Sequence, residues 1–394
     1  MTTNHPYFSI VNPITRLIGL FVTNKILASE LGVAEYGAFM NLQANLLMLG
    51  GIPLMGLAPL ILKYTRQYDN KIIATKNITT TITFVLLTLT VLLAISNITS
   101  GKNSIFSGLN PALLVAITLS PLANQVYFAV KRHDCVLYAN LLSLSLITLM
   151  FSFDAINLAN SYLIILALNA HFVILFIIRG EFLKLKIHFK FGKTSILWPY
   201  LLTGLISFIS IPLTQYILRQ QISGTEDAIM LAHWMAVVKL NELYILIPLY
   251  YLSSIGYKKY IFISQTDHKH ELLIIIAMSL IYTTIASITF LVVGDQIIQV
   301  LFSSEFTGVK HLFIISLIGN FSKVILMSIG FYFLAKNAMF KFNVFELLPP
   351  IFFVIFFQMN YASPLNAVLT YSATYAMSLV IGLGYVWSTR HDNS

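Results

Sequence analysis

Runs of about 20 mainly apolar residues recur along the chain, separated by short polar connections, and a helix of that length crosses the hydrocarbon core of a bilayer. The longest connection, residues 179–193, predicts a division into two six-helix bundles over residues 1–190 and 191–394. The twelve predicted spans are 8–28, 38–62, 77–97, 109–130, 135–156, 159–178, 195–218, 228–251, 272–292, 312–335, 342–360 and 365–387.

A weak internal similarity agrees with this division. The stretch TNKILASELGVAEYG at 23–37 aligns with TQYILRQQISGTEDA at 214–228, and the two share Thr, Ile-Leu and a Glu. Together with the equal halves, this suggests a parallel repeat about an axis along the membrane normal. Between spans nine and ten, residues 295–308 alternate apolar and polar positions, which predicts a short helix at the outer membrane interface.

The composition supports an all-α polytopic membrane protein. Hydrophobic residues make up 57% of the chain and charged residues 10%, whereas soluble domains carry about 25% charged residues. The opening MTTNHPYFSI lacks the basic region of a signal peptide, so we expect the first span to be retained. The single cysteine, Cys135, excludes an intramolecular disulfide framework and a cysteine-based metal cluster.

The distribution of basic residues predicts the orientation. Of the 24 Lys and Arg residues, 17 lie in connections on one side and three, Lys102, Arg219 and Lys310, on the other. Because basic residues accumulate on the cytoplasmic side, both termini are predicted to be cytoplasmic. The net charge of +9 therefore reflects membrane topology and does not indicate binding of nucleic acid.

The eighth span carries Lys239 and Glu242 near its middle. A charge at that depth costs about 2.5–3.5 kcal/mol when it faces lipid, so lipid-facing placement is unfavourable. The two residues are three apart and share one helix face. They are either a structural ion pair between helices or part of the lining of a polar cavity.

Other ionisable residues favour the cavity. Arg16 lies within the first span and Lys323 near the centre of the tenth, so three central cations face one central carboxylate. An uncompensated buried charge is costly, and a cationic excess suits a water-filled cavity for an anion such as phosphate or pyrophosphate. Lys25 is close enough to the outer end of its span to reach the interface, and Glu346 lies near a cytoplasmic end.

Amides at similar depths add hydrogen-bonding capacity. Each amide can serve an interhelical hydrogen bond, and as a set they suit a hydroxyl-rich substrate. These amides are Asn41, Gln43, Asn45, Asn124, Gln125, Asn169 and Asn320. No P-loop, Gly-x-Ser-x-Gly or His-Glu-x-x-His motif is found, which argues against an ATPase or a hydrolytic enzyme.

Five stretches resemble the bacterial flippases of undecaprenyl-pyrophosphate-linked oligosaccharides, in the MOP exporter superfamily, and most of all the branch that flips enterobacterial common antigen lipid III. Lys25, Arg219, Trp234, Lys323 and Glu346 match the residue types of that branch. Glu242 matches an acidic position, whereas Lys239 and Asn320 depart from it. The stretches are NKILASELG (24–32), KYTRQYDN (63–70), HWMAVVKLNELY (233–244), SSEFTGVKHLF (303–313) and IGNFSKVILMSIGFYFLAK (318–336).

The resemblance implies two six-helix bundles arranged as a V and a non-enzymatic flippase that moves a lipid III or O-antigen unit outward across the bacterial inner membrane. It implies no cofactor or metal, and as partners membrane lipid and the polymerase and chain-length machinery of the pathway. The predicted substrate-binding residues are Arg16, Lys25, Asn124, Lys239, Glu242, Asn320, Lys323 and Glu346.

Two alternatives remain open. A cation-coupled multidrug exporter of the same superfamily would require central carboxylates, and the amino-terminal half has none at the predicted midplane. A membrane polysaccharide polymerase or glycosyltransferase would be expected to carry a large loop with acidic or Arg-rich motifs, and no connection exceeds about 20 residues, the length of a single span.

The topology can be tested with reporter fusions. Fusions after residues 105 and 305 are expected to report periplasm, and fusions after residues 70, 187 and 394 cytoplasm, because of the 17-to-3 distribution of basic residues. Paired alkaline phosphatase and fluorescent protein reporters give opposite signals on the two sides. A periplasmic signal at residue 187 would contradict the two-bundle organisation.

Overall fold

The computed structural model describes residues 7–51, 133–178, 214–223, 228–252, 256–357 apart from 337, and 363–388, with a few isolated positions between them. Within these ranges the regular structure is helical and no strand occurs. The α-helices are α1 (Tyr7–Gly51), α2 (His133–Ser152), α3 (Ser161–Ile178), α4 (Thr214–Ser223), α5 (Ala228–Tyr251), α6 (Tyr257–Phe262), α7 (Gln265–Leu301), α8 (Val309–Ala335), α9 (Met339–Phe357) and α10 (Pro364–Ser388).

The predicted all-α membrane architecture is confirmed. Six helices in the described part of the chain are long and apolar enough to cross a bilayer. The predicted spans 228–251, 312–335, 342–360 and 365–387 correspond to α5, α8, α9 and α10 within a few residues. The predicted spans 77–97 and 109–130 fall almost wholly outside the described residues. The chain is therefore a multi-span membrane protein.

Two long helices contain a break, and neither break is at a proline. Gly32 interrupts α1 with φ 67° and ψ 174°, a backbone conformation that glycine adopts without the steric cost of a Cβ. This break separates the first predicted span from the start of the second. Val293 interrupts α7 with φ −121° and ψ 17°. In contrast, α5 and α9 continue through Pro248 and through Pro349 and Pro350.

The segment after Val293 was predicted to form a short helix at the outer membrane interface, and its depth in the membrane stays a prediction. Residues 295–301 are helical as the end of α7. Ile298, Leu301 and Phe302 are buried inside the protein, whereas Val300 is 64% exposed. An apolar stripe of helical period fits a lipid surface and a neighbouring helix equally well. Here the buried part of the stripe is covered by protein, and the Tyr36 ring meets the Phe302 ring edge-on at 5.9 Å between centroids.

The chain forms two compact units. One contains residues 1–23 and 42–208, and the other contains residues 24–41 and 209–394. In the first unit α2 and α3 pack together and bury Ile147, Ile164 and Ile165. The predicted boundary between residues 190 and 191 stays a prediction, because the residues on both sides of it are outside the described ranges.

The second unit is built around α8, which contacts α5, α6, α7, α9 and α10. Small side chains let these helices approach closely, and Ser316, Gly319 and Ser328 are all buried on α8. By contrast, α7 leaves Leu280 and Ile281 exposed, as expected for a helix that faces lipid. The central position of α8 means that its polar residues lie among helices rather than against the bilayer.

Residues 24–41 belong to the second unit although the chain leaves it again until residue 209. The Lys25 ammonium donates hydrogen bonds to the carbonyls of Gln299 and Phe302, at 2.7 and 2.9 Å. A cation is favourable there because the last carbonyls of a helix carry partial negative charge. This contact holds the segment that begins at residue 24 against the end of α7.

The close approach of α8 and α10 at Gly319 can be tested by adding one methyl group. A Cβ at Gly319 would lie 2.6 Å from the Tyr371 ring and 3.0 Å from the Ser372 backbone. Gly319→Ala is therefore expected to lower stability by about 1–3 kcal/mol through overpacking. Thermal unfolding in detergent measures the change.

The matched control is Gly384→Ala, because an added Cβ at Gly384 in α10 meets nothing within 4 Å. This variant is expected to be neutral or slightly stabilised, since alanine favours helix more than glycine does. Equal unfolding temperatures for the two variants would contradict the close contact at Gly319.

Candidate functional site

The Lys239–Glu242 pair expected from the sequence is present on α5. Lys239 Nζ lies 2.9 Å from a carboxylate oxygen of Glu242, and the side chains are 13% and 52% exposed. An ammonium and a carboxylate at this distance form a charge-assisted hydrogen bond. Each charge therefore has an opposite charge as a partner, but only the lysine is largely shielded from its surroundings.

The exposure of Glu242 indicates what lies beside it. Glu242 is near the middle of the span Ala228–Leu249, where an ionised group facing hydrocarbon is costly. A half-exposed carboxylate at that depth is compatible with a water-filled space and not with lipid. We infer that this side of α5 borders an aqueous cavity.

The surroundings of Lys323 on α8 include residues of α5, α9 and α10. Lys323 is partly buried, and its Nζ lies 5.5 Å from the centroid of the Tyr375 ring of α10, within the range of a cation–π interaction. Glu242 of α5 and Glu346 of α9 both act electrostatically on the Lys323 ammonium. Lys323 of α8, Glu242 of α5, Glu346 of α9 and Tyr375 of α10 thus form one group around a partly buried cation.

A buried hydrogen-bond network lies directly beside these charges. The Asn320 amide donates to Asn241 Oδ1 at 2.7 Å, and Ser316 Oγ donates to the same oxygen at 2.6 Å. The Tyr371 hydroxyl donates to Asn320 Oδ1 at 2.7 Å. All four residues are buried, so the network joins α5, α8 and α10 without contact with bulk water.

This network sets the rotation of the helices that carry the charges. Asn241 precedes Glu242, and Asn320 lies three residues before Lys323. A rotation of α8 that moved Lys323 away from Glu242 would also break the bonds of Asn320. Because an unsatisfied buried polar group costs about 1–3 kcal/mol, such rotations are disfavoured.

Two more residues lie within electrostatic range of Glu242. Arg219 of α4 is only 5% exposed and interacts with Glu242 electrostatically, and Tyr36 of α1 does the same. The sequence placed Arg219 in an outer connection, and only the family resemblance drew attention to it. Glu242 therefore acts on three cations of the second unit, namely Lys239, Lys323 and Arg219.

The structure does not show the other four predicted site residues as members of this charged group. Arg16 is exposed on the part of α1 that belongs to the first unit. Lys25 bonds the end of α7. Asn320 is fully enclosed and makes interhelical hydrogen bonds, and Asn124 is outside the described residues. The role of these four residues in substrate binding stays a prediction.

The structure changes the charge balance that the sequence suggested. Glu346 was expected near water at a helix end, but it acts on Lys323 and on Tyr375. In the described part of the second unit, Lys239, Lys323 and Arg219 are therefore accompanied by two carboxylates. The cationic excess falls from two charges to one.

Sequence reasoning did not assign roles to Asn241, Tyr371 or Tyr375. The spacing of Tyr371 and Tyr375 places both on one face of a helix, but nothing in the sequence says which helix they meet. Metal chemistry has no support in the described ranges, where no group of three or more His, Cys, Asp or Glu side chains could hold an ion.

The fold, taken as a whole, is that of the MATE transporters of the MOP superfamily. An inward-facing multidrug resistance MATE family transporter has a TM-score of 0.67 at 12% identity, covering 97% of this chain and 100% of the other. A MATE transporter variant from Vibrio cholerae has a TM-score of 0.63 at 11% identity, covering 98% and 97%.

The lipid II flippase MurJ in an inward closed conformation is also similar, with a TM-score of 0.61 at 15% identity, covering 98% of this chain and 88% of the other. No protein-family model and no curated protein matches the chain. At these identities the similarity establishes the fold, and that fold is shared by drug exporters and a lipid flippase.

The contribution of the Lys239–Glu242 pair to the free energy of unfolding can be measured with a double-mutant cycle of Lys239→Met and Glu242→Gln. Because Glu242 is half exposed, the coupling energy is expected to be below about 1 kcal/mol. Chemical unfolding of the purified protein measures it. A coupling of several kcal/mol would identify a buried structural pair instead.

The chain contains a matched control pair. Lys310 and Asp295 are 2.8 Å apart with side-chain exposures of 14% and 51%, nearly those of Lys239 and Glu242. Lys310→Met with Asp295→Asn is expected to give a similar coupling energy. A clear difference between the two cycles would show that the surroundings of Glu242 do not resemble those of an ordinary half-exposed carboxylate.

Proposed function

We propose that the protein is a flippase that moves a polyprenyl-pyrophosphate-linked oligosaccharide across the bacterial inner membrane, by alternating access and without enzymatic activity. The observation that carries the proposal is Lys323, a cation held at the centre of a span among Glu242, Glu346 and Tyr375. An undecaprenyl carrier and a lipid III or O-antigen glycan are the specific forms suggested by the sequence resemblance.

The chemistry of the charged group supports an anionic substrate. Lys239, Lys323 and Arg219 share the influence of Glu242. A pyrophosphate carries more than one negative charge and accepts several charge-assisted hydrogen bonds. It can therefore replace Glu242 as the partner of these cations, whereas a neutral substrate would not compensate their charge.

The carboxylates then have a defined part in the transport cycle. Without substrate, Glu242 and Glu346 stabilise the buried lysine, which would otherwise be an uncompensated charge. When an anion binds, the carboxylates become like charges beside it, and proton uptake by Glu242 would remove that repulsion. The oligosaccharide would occupy the aqueous side of α5 while the polyprenyl chain remains in lipid.

The fold supports transport but does not select the substrate. The lipid II flippase among the similar structures acts, by its name, on a lipid-linked substrate. We extend that class of substrate to this chain because its central group includes more cations than carboxylates. The inner membrane location, the cytoplasmic termini and the partnership with a polymerase and chain-length machinery belong to the same proposal.

A cation-coupled multidrug exporter is the second candidate, and one observation favours it. The most exposed ionised group of the site is a carboxylate, Glu242, which is the group that a cationic drug or a coupling ion would seek. Multidrug transporters also share this fold. A polymerase or glycosyltransferase has no comparable observation in its favour.

The test uses purified protein in liposomes that contain a fluorescent polyprenyl-pyrophosphate-linked disaccharide. Flipping is measured as the fraction of probe that becomes accessible to a membrane-impermeant quencher. Lys323→Met is expected to abolish flipping because the central cation is lost, and Lys323→Arg to retain part of it because the charge survives. Lys310→Met, which removes a cation from the same helix far from the site, is the control.

Each result discriminates between the candidates. Flipping by Lys323→Met at the wild-type rate would remove Lys323 from the substrate path. Wild-type protein that fails to flip the probe but expels ethidium under a proton or sodium gradient would favour the exporter. The abundance and unfolding temperature of each variant show whether a loss of flipping is a loss of folding.

A further inference from the structure

The short helix α6, between α5 and α7, exposes an aromatic side chain at its end. Phe262 at its end is 86% exposed and Ile261 is 39% exposed, whereas Tyr260 is fully buried. With six residues, α6 is far too short to cross a bilayer. It therefore has one face packed on the protein and another face, apolar at its tip, directed outward.

A second exposed phenylalanine lies at the same end of the unit. Phe340, in the first turn of α9, is 80% exposed. The two are linked through Lys336, which is four residues before Phe340 and whose Nζ donates to the Ile261 carbonyl at 3.1 Å. The ends of α6 and α8 and the start of α9 thus form one surface, which we call the Phe262–Phe340 surface.

Cations surround the Phe262–Phe340 surface. Lys259, Lys336 and Lys341 are all exposed. The hydrogen bond to the Glu271 carboxylate raises the pKa of the Lys259 ammonium, so this group stays charged at neutral pH. Lys269 adds a fourth cation. The acidic groups on the neighbouring start of α7 are Glu271, which pairs with Lys259, and Asp267, which caps α7 through Ser264.

We propose that the Phe262–Phe340 surface binds anionic phospholipid headgroups of the adjacent leaflet. Exposed aromatic and aliphatic side chains flanked by lysines are the composition that inserts at the boundary between headgroups and acyl chains. This surface lies where membrane-crossing helices end, which is the depth of that boundary. Four cations against two carboxylates give it the charge that anionic lipids attract.

The surface is rigidly attached to α8. The Tyr260 hydroxyl is 2.6 Å from Ser328 Oγ, and the Tyr260 ring meets the His268 ring edge-on at 5.6 Å. His268 in turn stacks on Tyr332 of α8 at 3.6 Å. Lipid bound at α6 would therefore contact an element that packs against the helix that carries Lys323. Lipid binding at this surface does not depend on which substrate is transported.

The test places a nitroxide spin label at residue 262 in the Cys135→Ser background, which leaves Phe262→Cys as the only cysteine. The protein is embedded in nanodiscs of phosphatidylcholine, with or without phosphatidylglycerol. Accessibility to oxygen, which concentrates in lipid, is compared with accessibility to a water-soluble nickel complex. Leu280→Cys on the exposed side of α7 is the lipid reference, and Glu305→Cys in an exposed turn is the water reference.

The label at residue 262 is expected to give an oxygen-to-nickel ratio several-fold above that at residue 305, and phosphatidylglycerol is expected to raise it further. The double change Lys336→Gln with Lys341→Gln should remove the response to phosphatidylglycerol and leave the ratio in phosphatidylcholine unchanged. A ratio at residue 262 equal to that at residue 305 in both lipids would overturn membrane contact. A ratio that does not respond to phosphatidylglycerol would overturn the selectivity for anionic headgroups.

Discussion

The buried hydrogen bonds of Asn320 are the constraint on which the second unit depends. An amide buried among apolar helices is costly unless its donor and its acceptor both find partners. Asn320 meets this requirement with Asn241 on α5 and Tyr371 on α10. Since the partners are on different helices, all three must keep one rotation and one height. The absence of a side chain at Gly319 allows α10 to approach closely enough for the Tyr371 bond.

The same constraint gives α5 one face that is buried against other helices and one face that is exposed. Successive residues of a helix point about 100° apart, so a fixed Asn241 determines where Glu242 points. Asn241 is 6% exposed, whereas the Glu242 side chain is 52% exposed. A charged group and a buried amide can therefore be neighbours in sequence without conflict. The hydrogen bonds of Asn241 on the buried face therefore determine where the exposed face of α5, with Glu242, is directed.

Whether a feature of the fold or of the site could be predicted from the sequence depends on how far apart in sequence the interacting residues are. The bounds of α5 and the Lys239–Glu242 contact follow from apolar length and helical period alone. The partners of Asn320 and the Tyr375 ring beneath Lys323 lie 51 or more residues away in sequence, and period says nothing about which helices meet. The end of α7 is a second example. Its apolar residues predict a face packed against something apolar, but the sequence does not identify Tyr36 as the residue that contacts Phe302.

In the proposed function, the accompanying carboxylates determine how the central cations would bind and release a substrate. A permanently free lysine at the middle of a span would bind an anion tightly and release it slowly, since little would compete for it. Glu242 and Glu346 supply that competition from within the protein. The Glu242 side chain is half exposed, while Lys323 is partly buried near Tyr375. For the anionic substrate that we propose, binding and release would then depend on how strongly the headgroup and these carboxylates compete for the same cations.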